Sequence, residues 1–311
     1  MRLPSASSLD RALACPTSCV LPRARTYHVR TERGTAVHEF LEDALSIGGE
    51  AALAKVPEKH RDFCSKIDLR NLPTYSGMRA AEVAFAWDHT TGLARELCRG
   101  RKNNPNDYKG PLEYMGVADV VAVMGDVVLV EDYKTGDGWV ESPGRNKQLR
   151  FLGMAAALAY GKRAARLGVI KVREDAPPYS EYAEIDEWDI DDIQAELRNL
   201  ARKIASVSAA LNEGKTPDTS QGDWCTWCSS FDFCPPKLAL VKAFAGGAFA
   251  GPWDQTTPEE IAAAYTTWVD MRRLVKRGET RLKEWAKDAP IPCGNGKVYT
   301  IRAGRYGEYL P

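Results

Sequence analysis

Asp119, Asp132 and Lys134 are the side chains whose types and spacing point most directly to chemistry. They sit near the two ends of Gly116–Gly136, GVADVVAVMGDVVLVEDYKTG, in which two β-branched runs flank Gly125-Asp126. A Gly-Asp pair between such runs predicts a two-residue hairpin turn. The turn fixes the register: Val123 faces Val128, Val121 faces Val130, and Asp119 faces Asp132. Two carboxylates would then oppose each other with Cβ atoms roughly 4.5–5.5 Å apart. Lys134, two residues beyond Asp132, projects from the same side. Like charges at the edge of an apolar face are destabilising unless something neutralises them. A divalent cation does so, and oxygen ligands suit Mg²⁺ or Mn²⁺. Glu131 falls on the opposite face and is not counted as a ligand. The plainer alternative is an ion pair of Asp119 or Asp132 with Lys134 or an arginine.

Cysteine is the second chemically informative residue type. There are eight: Cys15, Cys19, Cys64, Cys98, Cys225, Cys228, Cys234 and Cys293. Three crowd into Cys225-Thr-Trp-Cys228 and Cys234-Pro235. A C-x2-C pair lets two thiolates reach one metal centre, and a tetrahedral zinc or a cubane cluster then needs a fourth ligand. Cys15, Cys19, Cys64, Cys98 and Cys293 are the candidates, and Cys15 shares the following proline with Cys234. The rival for each isolated cysteine is a small buried hydrophobe.

These groups need elements to position them. Residues 8–20 are expected to be helical and carry Cys15. In 34–46, Val37, Phe40, Leu41, Ala44 and Leu45 recur at helical spacing, with His38 beside the stripe. Residues 48–80 read as helix and loop, 81–88 as a strand, and the polar stretch 99–109 as a loop. Both faces of the hairpin are apolar, with Ala118, Val120, Ala122, Met124, Val127 and Leu129 on the second. That places it centrally in a sheet covered on both sides. A helix is predicted over 145–160, strands over 167–172 and 181–188, and a long helix over 189–213. Thr257-Pro258-Glu259-Glu260 starts another helix that could run to about 287, and 297–301 reads as a short closing strand. The Gly/Ala-rich joint at 244–252 divides the chain into a core, 1–243, and a helical appendage, 244–311.

Composition sets the outer limits. The 311 residues carry 44% hydrophobic and 27% charged side chains, typical of a globular protein. No apolar run is long enough for a membrane span, and MRLPSASSLDRALACP does not read as a secretion signal, so a cytoplasmic protein is expected. Forty-two basic residues balance 42 acidic ones, so any attraction for nucleic acid must be local.

The ordered motifs resemble the RecB-type branch of the PD-(D/E)xK nucleases, in particular the iron–sulfur exonucleases related to AddB and to CRISPR-associated RecB-like nucleases. The resemblance covers roughly residues 5–236. Ser5-Ala6-Ser7-Ser8-Leu9 through Cys15-Pro16 is similar to the family's opening. Gly34-Thr-Ala-Val-His38-Glu-Phe-Leu41-Glu42 resembles its GxxxHxxLE helix, Gly116-Val-Ala-Asp119 its GxxD, and Asp132-Tyr133-Lys134-Thr135-Gly136 its DxK strand end. Gln148-Leu149 begins a QxxxY helix whose tyrosine is here Leu152, with Phe151 and Tyr160 nearby, and Cys225, Cys228 and Cys234 match the final cysteine triplet.

The resemblance implies a restriction-endonuclease-like α/β core, a central mixed sheet flanked by helices, with cysteines from both ends joined at a [4Fe-4S] cluster. Its ligands would be Cys15, Cys225, Cys228 and Cys234; zinc also fits the ligand count. It further implies that His38, Glu82, Asp119, Asp132 and the Tyr133 carbonyl hold Mg²⁺ or Mn²⁺. Lys134 would hold or help deprotonate a water, and Gln148 would orient Lys134 or touch the DNA backbone. The implied activity is a DNA exonuclease on single strands or ends, serving repair, recombination, phage DNA processing or spacer processing. A helicase, a recombinase or CRISPR-adaptation proteins would be its partners. The alternative is a non-catalytic DNA-binding or interaction subunit of a helicase–nuclease complex. Arg23, Arg25, Arg30, Arg33, Arg99, Arg101, Lys102, Lys162, Arg163 and Arg166 are candidates for a phosphate track. Trp224, Trp227 and Phe231 are expected to pack around the cysteines rather than stack on bases.

Overall fold

The valine-rich hairpin lies at the centre of a six-stranded sheet. In the computed structural model, which describes residues 3–23, 32–71, 78–100, 103–135, 140–173, 177–237, 239, 258–292, 298–302 and 305–309, the strands are β1 (Met78–Asp88), β2 (Ala94–Arg99), β3 (Glu113–Met124), β4 (Val127–Thr135), β5 (Ala164–Val172) and β6 (Tyr179–Ile185). Their order is β2-β1-β3-β4-β5-β6. Only β4 and β5 run parallel, so the sheet is mixed. The hairpin register is the expected one through Met124↔Val127, Val123↔Val128, Ala122↔Leu129, Val121↔Val130 and Val120↔Glu131.

Helices cover both faces. They are α1 (Leu9–Ala14), α2 (Glu32–Ile47), α3 (Gly49–Lys55), α4 (Glu58–Ser65), α5 (Lys147–Ala159) and α6 (Glu187–Asn212). One core joins α5, α1 and α6 to Val83, Phe85, Trp87, Val121, Val128 and Val130. The other joins α2, α3 and α4 to Val120, Tyr133, Ile170 and Val172. The crossover between the parallel strands is α5, whose Phe151 to Ala157 are all buried; a helix apolar all round belongs inside. Asp186 caps α6 in a reciprocal capping box with Asp189, which ends β6 earlier than expected and starts the helix earlier. Among the described residues no helix is long and apolar enough to cross a membrane.

Gly116 is where α5 and the N-terminal turn approach the sheet most closely. A Cβ there would lie 2.5 Å from Ala6 Cβ and 2.9 Å from Leu152 Cδ2. The glycine of the GxxD motif is thus required by packing. Gly116→Val is expected to destabilise the protein by about 1–3 kcal/mol through overpacking. The urea midpoint should fall at unchanged slope; an unmoved midpoint would show that the interface is looser than this.

Two expectations fail. Ala94–Arg99 was not foreseen as a strand; ARELCR is short and charged because it forms the sheet edge. The strict alternation of faces along β3 also breaks. Ala118 shares a core with Val121, whereas Val120 packs in the other, so the side-chain pattern slips by one residue at Asp119.

Contacts divide the chain into two compact units, Met1–Phe231 and Asp232–Pro311. In the second, α7 (Pro258–Asp288) accompanies an antiparallel sheet of β7 (Ile291–Pro292), β8 (Val298–Arg302) and β9 (Arg305–Tyr309). The single closing strand of the sequence analysis is one of three. Lys237, 2% exposed, pairs with Asp270, which also receives Arg273 at 3.2 Å. The expected joint at 244–252, Thr257 and Cys293 lie outside the described residues.

Candidate active site

The slip at Asp119 is mirrored in β1. Ala81 pairs with Val120 and Val83 with Ala118, so Glu82 stands opposite Asp119. Glu82 has φ 49°, the left-handed region that a glutamate adopts at a cost of about 1–3 kcal/mol. Ala80 and Val83 consequently pack against the same core. Two adjacent strands kink together at their two acidic residues, and strain of this kind concentrates at functional sites.

His38 completes the group. On α2 the buried residues Ala36, Val37, Phe40 and Leu41 fix the helix on the sheet, and His38 Nδ1 lies 3.3 Å from Asp119 Oδ1. Its ring meets that of Tyr133 edge-on, with centroids 6.1 Å apart at 87°. Asp119 is held from its other oxygen: Oδ2 accepts the Tyr133 backbone N–H at 2.6 Å. Ligand atoms of His38, Glu82 and Asp119 all lie within 4.8 Å of one another. Among the described residues no other trio of His, Cys, Asp or Glu meets that spacing.

Asp132 stands beside this trio, not directly in it, and this corrects the simple face-to-face pair. The regular β3–β4 ladder runs to Val120↔Glu131, and beyond it Asp119 turns to the Tyr133 amide and His38. Asp132 instead meets Lys134 Nζ at 2.5 Å and accepts from Gln148 Nε2 at 3.0 Å. Gln148 thus bonds Asp132, the same carboxylate that pairs with the Lys134 it was expected to orient. Asn146 caps α5 by accepting the Leu149 N–H, which presents Gln148 in the first turn. Asp132 is 4% exposed, and burial together with the Asp119 charge raises its carboxyl well above the ordinary range. Lys134 and His38 only partly offset this. Its Oδ2 is buried and makes no well-aligned hydrogen bond.

These residues fit a hard divalent cation. Three carboxylates, Glu82, Asp119 and Asp132, gather around one ammonium and one imidazole, so negative charge is in excess. One imidazole nitrogen with carboxylate oxygens suits Mg²⁺ or Mn²⁺.

A stability test follows from the Asp132 shift. A carboxyl with a raised folded-state pKa, ionised at neutral pH, weighs against the folded state there. The penalty is lifted as pH falls and the group is protonated whether folded or not. In chelator, Asp132→Asn is expected to be more stable than wild type by about 1–3 kcal/mol at neutral pH, with the gap closing on acidification. Added Mn²⁺ should raise the melting temperature of the wild type more than that of the variant. A variant less stable than wild type in chelator at neutral pH would contradict this.

The cysteines form a second cluster in the first unit. Cys15, Cys225 and Cys228 are buried and free. Burial pushes the Cys228 thiol up, the Ser230 backbone N–H and Arg11 draw it down, and Cys225 and Cys15 add to the rise. The Ser230 hydroxyl donates to the Ser18 carbonyl at 3.1 Å and contacts the Leu21 carbonyl at 3.3 Å. The Thr17 hydroxyl bonds the Asp218 carbonyl at 2.5 Å. The N-terminal turn is thus stitched to the segment carrying Cys225 and Cys228. The three sulfurs do not all lie within 4.8 Å of one another. Cys234 belongs to the second unit and is partly exposed.

Several phosphate-track candidates are engaged within the protein. Arg33 lies over the Phe63 ring at 4.9 Å and Arg166 over Tyr182 at 4.4 Å. Arg99 pairs with Glu96 and Arg163 with Glu187. Arg25, Arg30, Arg101, Lys102 and the Trp227 side chain lie outside the described residues. Phe231 is buried and Trp224 bonds the Ser220 carbonyl, in keeping with packing. Leu152, in place of the QxxxY tyrosine, is fully buried, and Tyr160 bonds Glu96 at 2.6 Å.

A search of curated proteins returned no match. The solved crystal structure of SSO0001 is similar to part of the chain, at 14% identity and a TM-score of 0.27, over 51% of this chain and 61% of that one. The family model of the PD-(D/E)XK nuclease superfamily matches residues 4–235, the stretch that holds His38, Glu82, Asp119, Asp132 and Lys134. The chain belongs to the PD-(D/E)XK nuclease superfamily.

Proposed function

We propose that the protein is a RecB-type DNA exonuclease, dependent on Mg²⁺ or Mn²⁺ and built around a [4Fe-4S] cluster, that degrades single strands or duplex ends. Membership of the superfamily carries the coarser statement, a metal-dependent nuclease. The observation that supports the assignment of residues is the convergence of His38, Glu82 and Asp119 beside the Asp132–Lys134–Gln148 group. Bound there, the metal would lower the pKa of a water and offset charge building on the phosphate. Asp119, clamped by the Tyr133 amide, and His38 and Glu82 beside it would hold the ion, with Asp132 and the Tyr133 carbonyl completing the set. Lys134, 32% exposed and anchored by Asp132, would hold the attacking water and steady the transition-state charge. Gln148 is a positioning residue for Asp132.

Cys15, Cys225, Cys228 and Cys234 would hold the cluster as a structural staple, since four thiolates leave no position for substrate. Repair, recombination, phage DNA processing and spacer trimming all use such an activity, and helicase, recombinase or adaptation proteins are the partners it implies.

The test is digestion of end-labelled single- and double-stranded DNA by chelator-stripped protein, with and without added Mg²⁺ or Mn²⁺. Release of short products from a labelled end, only with metal, is expected. Rapid cleavage of circular single strands would overturn the exonuclease assignment, and no cleavage of any substrate would overturn the nuclease.

A further inference from the structure

A cavity of about 410 Å³ lies between α2, α3 and the end of β2, lined by none of the candidate catalytic residues. Small-molecule sites run to roughly 300–1,000 Å³, so it has room for one nucleoside. Two ties join it to the His38–Glu82–Asp119 trio. Glu42, on its lining, follows His38 by four residues on α2, about 6 Å along the helix axis. Gly100, also on the lining, donates its backbone N–H to the Glu82 carbonyl at 2.9 Å. The span from a phosphate to its own base is of the same order as that helical turn.

The walls differ in chemistry. Phe40, Ala52 and Val56 are buried and make one side apolar. The rest is acidic: among the described residues Glu39, Glu42 and Asp43 stand against Lys55 and Arg99. Both cations are engaged, Lys55 with Asp43 at 3.2 Å and Arg99 with Glu96 at 2.6 Å. Glu42 is half-buried, and its Oε1 stands 4.0 Å from where a Gly100 Cβ would be, so the carboxylate reaches from the helix toward the strand end. Such a rim repels phosphate and accepts N–H donors, while the apolar side takes the flat of a ring. A nucleobase offers both. Cytosine, adenine and guanine carry an exocyclic amine that a carboxylate accepts, and thymine carries none.

We propose that this cavity seats the nucleobase next to the phosphate held at the metal trio, and that Glu42 selects amine-bearing bases over thymine. The inference rests on the proposed function, since the phosphate in question is the one the nuclease attacks. Glu42 meets the base and not the reacting atoms, so it is a specificity-determining residue.

The test compares oligodeoxycytidine with oligothymidine of equal length on the full chain, slightly above neutral pH so that cytosine stays unprotonated. Affinity is read by fluorescence anisotropy in chelator, and cleavage rate with Mn²⁺. Wild type is expected to prefer oligodeoxycytidine by at least about 5-fold in both. Glu42→Gln, which presents a donor as well as an acceptor, should bring the ratio within about 2-fold of unity. An oligomer of N4,N4-dimethylcytosine keeps the ring and lacks the amine hydrogens, and with wild-type protein it should fall to the thymine level. A loss of fold or of general strand binding lowers both substrates together and leaves their ratio, so the ratio isolates the cavity. If wild type binds with the preference but cleaves neither strand, the nuclease reading fails and the cavity stands. Equal binding and equal cleavage of the two strands by wild type overturns the proposal. So does a preference that survives in Glu42→Gln or with the dimethylated base.

Discussion

Lys134→Ala is expected to lower metal-dependent strand cleavage by about 10²–10⁴-fold while strand binding and fold persist. The ammonium is held directly against the buried Asp132, at 2.5 Å, and the Lys134 side chain remains 32% exposed. Those two facts together describe a charge anchored on one side and presented on the other. Removing it takes away interactions that strengthen as charge develops on the phosphate, so the loss should appear in kcat more than in KM. Lys134→Arg should recover little, because a planar guanidinium cannot replace a compact ammonium in one buried contact. Equal product formation by wild type and Lys134→Ala with saturating Mn²⁺ would remove the residue from the mechanism.

Cys228→Ala is expected to abolish the brown colour and the bound iron and to leave most of the protein unfolded or aggregated. The thiol is buried and electrostatically coupled to Cys225 and Cys15, and Ser230, two residues on, ties this segment to the N-terminal turn. Binding free energies of structural metal sites, about 10 kcal/mol or more, are comparable to the whole stability of a domain. Cys98→Ala, at a partly exposed cysteine on the edge strand, is the control and should keep both iron and fold. Iron analysis, the visible spectrum and the melting temperature report the outcome. A colourless wild type carrying zinc, or a Cys228→Ala protein with full iron and unchanged melting, would refute the cluster.

Much of the site could be read from the sequence because short-range rules dominate there. The Gly125-Asp126 turn leaves two central residues, so the register of five hairpin pairs follows from it. The helical spacing of Val37, Phe40 and Leu41 likewise fixes the side of α2 that His38 adjoins. What could not be read is the joint kink of β1 and β3. Periodicity assumes that every strand residue alternates, and nothing in Ala80–Val83 announces that Glu82 adopts φ 49°. A weak signal existed, since Glu82 interrupts the otherwise apolar run Ala80–Trp87 with no evident reason to be there. The edge strand β2 was hidden for the opposite reason: its charges serve the edge and disguise the strand. For Gln148 the sequence suggested Lys134 or DNA as a neighbour, and the structure adds Asp132. Which carboxylate a helix N-terminus reaches depends on how α5 crosses the sheet, a long-range property.

Anomalous diffraction from crystals grown with Mn²⁺ tests the central claim most directly. A manganese peak is predicted at the kink, within bonding distance of His38, Asp119 and Glu82, next to Asp132, and it should vanish in Asp119→Ala. A manganese peak elsewhere with the kink empty would contradict the account, as would Glu82 and Asp119 diverging on opposite faces of the sheet.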